Sequence, residues 1–136
     1  MLQPSRVKHS KVHKGRRRFN KVATRGTTLS FGAFGLKSDE SYWLKANQLE
    51  SARRVIARYL QRGGKLWIRI FPSKPRTARS PELGMGGGRG ALDHFVFPVE
   101  AGRIIFEIDG ISADQAKEAL KLGAHKLPIK TRIISR

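Results

Sequence analysis

Residues 48–71 read QLESARRVIARYLQRGGKLWIRIF, and two different hydrophobic periods meet there at Gly63-Gly64. Before the glycines, Leu49, Ala52, Ile56, Tyr59 and Leu60 recur at helical spacing and form one apolar face, which predicts a helix over Gln48–Arg62. Asn47 is the expected N-cap, with Glu50 three residues on at the capping-box position, and Gly63-Gly64 the expected stop. After the glycines the period drops to two. Leu66, Ile68 and Ile70 share one face of a strand over Lys65–Phe71, Trp67, Arg69 and Phe71 share the other, and Pro72 ends it. A helix with one apolar stripe beside a strand with one apolar face calls for a helix packed on a sheet.

Working outward, Thr28–Phe34 reads as a short strand or extended segment punctuated by Gly32 and Gly35. Downstream, Leu92–Val99 and Arg103–Asp109 read as two strands joined in a hairpin at Glu100-Ala101-Gly102. Ser112–Leu122 is the second helix, with Ser112 as N-cap and Gln115 at the capping-box position; Gly123 is its expected close, or a last turn runs on to His125. Pro128 forbids continuation, and Ile129–Ile134 is the final strand. The predicted fold class is α+β: a mostly antiparallel sheet covered by two helices, with a long Gly/Pro-rich loop over 72–90 and an extended basic N-terminal arm over 1–26. Residues 27–136 make one domain, as expected for a chain of 136 residues.

Composition narrows the function. The chain contains no cysteine, which excludes a disulfide framework and any thiolate-built zinc site. No run approaches the ~18 apolar residues of a membrane span. The formal charge is +18, and it is uneven: Met1–Gly26 carries nine basic residues and no acid, whereas Ala91–His125 is net negative. Such self-repulsion is relieved by a polyanion. The arm has too little apolar surface to offset its own ordering entropy, so it is expected to order only against a partner, reaching at most ~85 Å when extended. An acid-free, Arg-rich start is also the composition of an organellar transit peptide, but without an apolar core it is no secretory signal.

Candidate chemistry follows from this distribution. Arg16-Arg17-Arg18 with Lys8, Lys11, Lys14, Lys21 and Arg25 supply flexible cations for phosphates; neutralising eight gives a log–log salt slope of about −6 to −7. Arg54, Arg58 and Arg62 lie four apart, beside Arg53, and their flat forks suit phosphate and base stacking. Met85-Gly86-Gly87-Gly88-Arg89-Gly90 lacks the Lys-Ser/Thr of a phosphate-binding P-loop and is no nucleotide site. His9 and His13 have a metal-ligand spacing, yet without cysteines or nearby carboxylates they read as helpers to the arm, so neither a metal nor any cofactor is expected. Asp93-His94 and the Glu107/Asp109 pair are acid–base candidates with no nucleophile motif nearby, and default to strand-edge or turn roles. A free RNA chaperone or nucleoid protein would share the same charge.

The segments MLQPSR, HSKVHKGR, SFGAFGLK, QLESARR, GKLWIRIFPSKP, MGGGRG, FEIDGI and KLPIKTRII occur in this order along nearly the whole chain. Together they resemble the bacterial and organellar branch of the large-subunit ribosomal protein L-sixteen family. The resemblance begins at Met1, which favours a mature arm over a transit peptide. It implies a structural, RNA-bound protein of a bacterial or organellar ribosome, not an enzyme, that supports late subunit assembly and borders the A-site tRNA near the peptidyl-transferase region. Implied partners are large-subunit ribosomal RNA, A-site tRNA, P-site tRNA as a further contact, and neighbouring ribosomal proteins; no membrane and no homo-oligomer is expected.

On this reading the ribosomal-RNA contacts are Lys8, Lys11, Lys14, Arg16, Arg17, Arg18, Arg53, Arg54, Arg58, Arg62, Lys126, Lys130 and Arg132. The tRNA-facing group is Arg76, Arg79, Met85, Gly86, Gly87, Gly88, Arg89 and Gly90. Lys14-Gly15-Arg16 match the family's arm motif, Arg53-Arg54 its helix pair and Met85–Gly90 its loop. The chain departs from the family at Gly84, where an Arg is common before the loop Met and is hydroxylated in some bacteria. It departs again at Gly87 and Arg89, where lysines are common, and at Asp39-Glu40, a stretch often basic. About three extra residues lie between Arg16 and Thr28.

Overall fold

The computed structural model describes residues 1–15 and 21–136. Arg16, Arg17, Arg18 and Phe19 lie outside the described residues. The elements run β1 (Phe34–Ser38), β2 (Tyr42–Lys45), α1 (Ala46–Leu60), β3 (Lys65–Ile68), β4 (Lys74–Ala78), β5 (Ala91–Val99), β6 (Ile104–Asp109), α2 (Ala113–Ala124) and β7 (Thr131–Ser135). The α+β class holds, with two antiparallel sheets: four strands in the order β3-β6-β1-β7 and three in the order β2-β5-β4.

The two-sheet division corrects the hairpin expected at Glu100-Ala101-Gly102. The turn exists, closed by the Arg103 N–H donating to the Glu100 carbonyl at 3.1 Å. The strands on either side nevertheless join different sheets, β5 pairing with β2 and β4, and β6 with β1 and β3. Burial gives the reason. Ile104 to Ile108 of β6 are buried on both faces, so this strand belongs in the middle of the core sheet. β5 begins with three exposed residues and carries Pro98, which has no N–H to give a second neighbour. It pairs there with β2 alone, since β4 reaches only to Val96.

Helix α1 starts two residues before its predicted start. Asn47 is inside it, and the N-terminus is closed by the Lys45 N–H donating to Gln48 Oε1 at 2.9 Å, so Gln48 and not Glu50 takes the back-reaching role. The helix ends before the glycines: Gln61 and Arg62 both adopt positive φ (49° and 67°). Arg62 therefore stands beyond the helix. Leu49, Ala52 and Ile56 are fully buried as expected, while Tyr59 remains 38% exposed. Helix α2 has the predicted cap, Ser112 Oγ accepting from the Gln115 N–H at 3.4 Å. Gly123 does not terminate it; it lies inside the helix against α1, where an added Cβ would meet Ile56 Cδ1 at 2.6 Å.

Helix α2 packs on β1 and β7 of the four-stranded sheet and on α1, which also meets β2 and β5 of the other sheet; Leu36, Phe106, Ile108, Leu120 and Leu127 join in one core. β3 ends at Ile68, short of the predicted Phe71; Leu66 and Ile68 lie against the core as expected, and Ile70, beyond the strand, is buried. Two strands were not foreseen. β2 was missed, and β4 occupies 74–78 of the stretch read as loop, because Pro75 masks it; an edge strand tolerates that proline. The segment expected as a strand over Thr28–Phe34 becomes one only at Phe34. Its preceding residues are held from the side: the Ser30 and Phe31 N–H groups donate to the carboxylate of Glu107 (2.8 and 3.0 Å), and Ala33 N–H to the Ile108 carbonyl. No helix among the described residues is long and apolar enough to cross a membrane.

Candidate nucleic-acid interface

The basic residues gather where the arm crosses the smaller sheet. Strand pairing makes β4 extended, so Lys74 and Arg76 project from one face, against the indole of Trp43. Lys74 Nζ is 4.4 Å and Arg76 Cζ 4.8 Å from the Trp43 ring centroid. Lys74 also donates to the Lys14 carbonyl at 3.0 Å. Lys14, Lys45, Arg76 and His94 surround the same concave surface with Tyr42 and Trp43. Two cations on one ring partly offset their mutual repulsion through its negative face.

The arm and the glycine loop are tied reciprocally. Lys11 Nζ donates to the Arg89 carbonyl at 3.2 Å, and the Arg89 guanidinium donates to the Val12 carbonyl. Further along, Val22 forms a parallel bridge with Ala101, and the Ala23 N–H donates to the Ala101 carbonyl at 2.8 Å, fixing the arm's base to the body. The loop itself stands clear. Met85 is 93% exposed, and a Cβ added at Gly84, Gly86, Gly87 or Gly88 would meet nothing within 4 Å. Gly86, Gly87 and Gly88 hold φ of 112°, 75° and 93°, a backbone that other residues resist. Arg79 is exposed at the loop's entrance, and Gly90 at its exit packs on the Ala78 carbonyl.

The structure thus brings together Lys11, Lys14, Arg76 and Arg89, and leaves Lys8 exposed on the arm. Among the described residues none of these five forms an ion pair. The helix arginines are a separate group and only partly available. Glu50 takes a two-pronged bond from Arg53 (2.6 and 2.9 Å) and a third from Arg54 (3.1 Å). The Arg53 bond above all, then Arg54, outweighs burial and pulls the Glu50 carboxyl down to about 2; the same bond raises Arg53. Arg58 and Arg62 are exposed. At the other edge, Lys126 and Lys130 are exposed, and Arg132 pairs with Asp39 at 3.2 Å.

The acid–base candidates resolve into structural contacts. Glu107 is fully buried and accepts from Ser30, Phe31 and Arg69, the last at 3.1 Å, while Asp109 Oδ1 caps the Gly110 N–H. Asp93 and His94 touch at 2.6 Å on the strand surface. Sequence reading missed Trp43, Lys74 and Lys45 as members of this surface. The alternation in Lys74-Pro75-Arg76 was the available signal, hidden by the proline.

The family model described as ribosomal protein L16p/L10e matches residues 4–134. The large ribosomal subunit protein uL16 of Dehalococcoides mccartyi is 50% identical over 136 residues, all of this chain and 90% of that protein. The uL16c proteins of Gracilaria tenuistipitata and Cyanidium caldarium are 49% and 50% identical, covering 100% and 99% of this chain and 99% and 95% of their own lengths. These are ribosomal structural proteins, not enzymes, and the ribosome, bacterial or organellar, is their place. A free-standing RNA chaperone is not what these relatives are. A basic globule whose arm and glycine loop share a cationic surface, matched end to end by such relatives, belongs to the L16p/L10e family of large-subunit ribosomal proteins.

Proposed function

We propose that this protein binds large-subunit ribosomal RNA through its arm, the β4 surface and the exposed arginines of α1, and that its glycine loop borders the A-site tRNA near the peptidyl-transferase region. In this role it acts late in subunit assembly and helps to position incoming tRNA. It contributes shape and charge, and peptide transfer belongs to the RNA.

The carrying observation is the junction at Lys11, Val12 and Arg89. Two hydrogen bonds join a cationic arm to the exit of an exposed loop, so an anion scaffold gripping the arm also fixes the loop's root. Phosphates supply the counter-charge that the chain does not. Sedimentation of ribosomes tests the first part: the protein stays with large subunits through a moderate salt wash. Recovery only from the free pool contradicts it. Binding of A-site tRNA to ribosomes carrying loop variants tests the second part.

A further inference from the structure

Away from the arm, Phe31 presents an aromatic ring to solvent, 55% exposed. Its position is nonetheless firmly determined. The ring lies 6.0 Å from that of Trp67 with 21° between their planes, and the Arg69 guanidinium sits 5.2 Å from its centroid. Its N–H is held by Glu107, the same fully buried carboxylate that anchors Arg69. Burying a carboxylate is costly. Here what it secures is an exposed ring.

Phe31 and Trp67 form one wall of a hollow completed by Gly64, Lys65, Asp109 and Gly110. Its floor is bare backbone: a Cβ on Gly110 would strike Gly64 Cα at 2.9 Å, and both glycines have positive φ. The hollow therefore combines a flat π-face, an ammonium at Lys65 and a carboxylate at Asp109. A phosphate is repelled by that carboxylate. An amino-bearing base edge donates to it, as cytosine N4 does to acidic side chains, while the base stacks on the rings and the ammonium meets the backbone beside it.

We propose that this hollow seats one unstacked, amino-bearing nucleobase of ribosomal RNA, stacked on Phe31 and hydrogen-bonded to Asp109. The inference rests on the RNA-binding reading above and adds a base-specific contact to its phosphate contacts. Fixing the rings in advance removes the ordering cost that a free aromatic side chain would incur on binding.

The test uses the full chain and two short single-stranded probes of equal length, oligocytidylate and its abasic counterpart, with oligouridylate as a third. Wild-type protein is expected to bind oligocytidylate more tightly than the abasic strand. Phe31→Leu, which keeps apolar volume without a π-face, is expected to weaken oligocytidylate binding about five- to 150-fold. Its abasic binding and log–log salt slope should not change. Phe31→Tyr should retain wild-type binding, and Asp109→Asn should reduce the preference for cytidylate over uridylate. Equal losses on both strands by Phe31→Leu, or no loss on either, overturn the base seat, while undiminished salt-dependent binding to the abasic strand keeps the RNA reading intact. Binding to neither strand by the wild type removes both. In reconstituted large subunits, Phe31→Leu should raise the chemical reactivity of a single base. A crosslink from position 31 to a neighbouring protein, with no base altered, overturns the proposal in favour of a protein contact.

Discussion

The two sheets of this small protein follow opposite rules. In β3-β6-β1-β7 the inner strand β6 is buried from Ile104 to Ile108, helix α2 packs on β1 and β7, and the carboxylate of Glu107 is matched by three donors. In β2-β5-β4 the edge strand reads KPRTA, the long strand starts exposed, and cations lie on Trp43 beside a basic arm. The first sheet satisfies its own polar groups. The second presents cations at its surface. Core stability belongs to the first sheet and, in the function proposed above, phosphate binding belongs to the second, so each should be damageable without the other.

The largest effect expected from this division lies in the core sheet. Glu107→Ala strands the N–H groups of Ser30 and Phe31 and the Arg69 guanidinium, at a cost of about 3–5 kcal/mol, the range for breaking a buried pair. Urea unfolding measures this, and the salt slope of RNA binding should not move. An unchanged unfolding midpoint would erase the contrast. Second, deleting residues 1–18 removes seven of the basic residues, and should lower affinity for large-subunit RNA by about 100-fold or more and flatten the salt slope. Melting of the body should stay cooperative, since the Val22–Ala101 bridge survives the deletion. Loss of cooperative melting would instead make the arm a structural part of the core.

A smaller effect belongs to the loop. Replacing Gly86, Gly87 and Gly88 with Ala forces strained φ in open space, with about 1–2 kcal/mol per residue to be relieved by moving the loop. A-site tRNA affinity should fall about tenfold while subunit association holds, as tRNA filter binding and gradients can show; unchanged tRNA affinity takes the loop out of the mechanism. The smallest effect is on α1. Because Arg53 and Arg54 lower the Glu50 carboxyl, its stabilisation is complete above its ordinary value near 4.5 and is lost as pH falls toward about 2. Its arginine partners are 37% and 72% exposed, so the contribution is no more than about 1 kcal/mol. The difference in urea midpoint between wild type and Glu50→Gln should shrink over that window. A difference that persists at pH 2 points to a cause other than this charge pair.

Much of the fold was legible because burial imposes periodicity. The stripe of Leu49, Ala52 and Ile56 and the alternation of Leu66, Ile68 and Ile70 are local consequences of one-sided burial, and both hold. Caps were less secure. Ser112 caps α2 as expected, but Asn47 and Glu50 lost to Lys45 and Gln48, and Glu50 was drawn instead to two arginines on its own helix. The candidate site was legible as charge and not as geometry: Lys11, Lys14, Arg76 and Arg89 are ordinary exposed cations until strand β4 and the arm meet.

By itself the sequence determined the α+β class, the helix faces, the uneven charge and the family resemblance, all of which depend on neighbours close along the chain or on residue counts. Only the tertiary structure decided that β5 and β6 part into separate sheets, that the arm is tied to the glycine loop, and that Glu107 fixes Phe31 from 76 residues away. Such contacts join distant segments whose pairing no local period encodes; they are chosen by which surfaces remain unsatisfied once the helices and strands have formed.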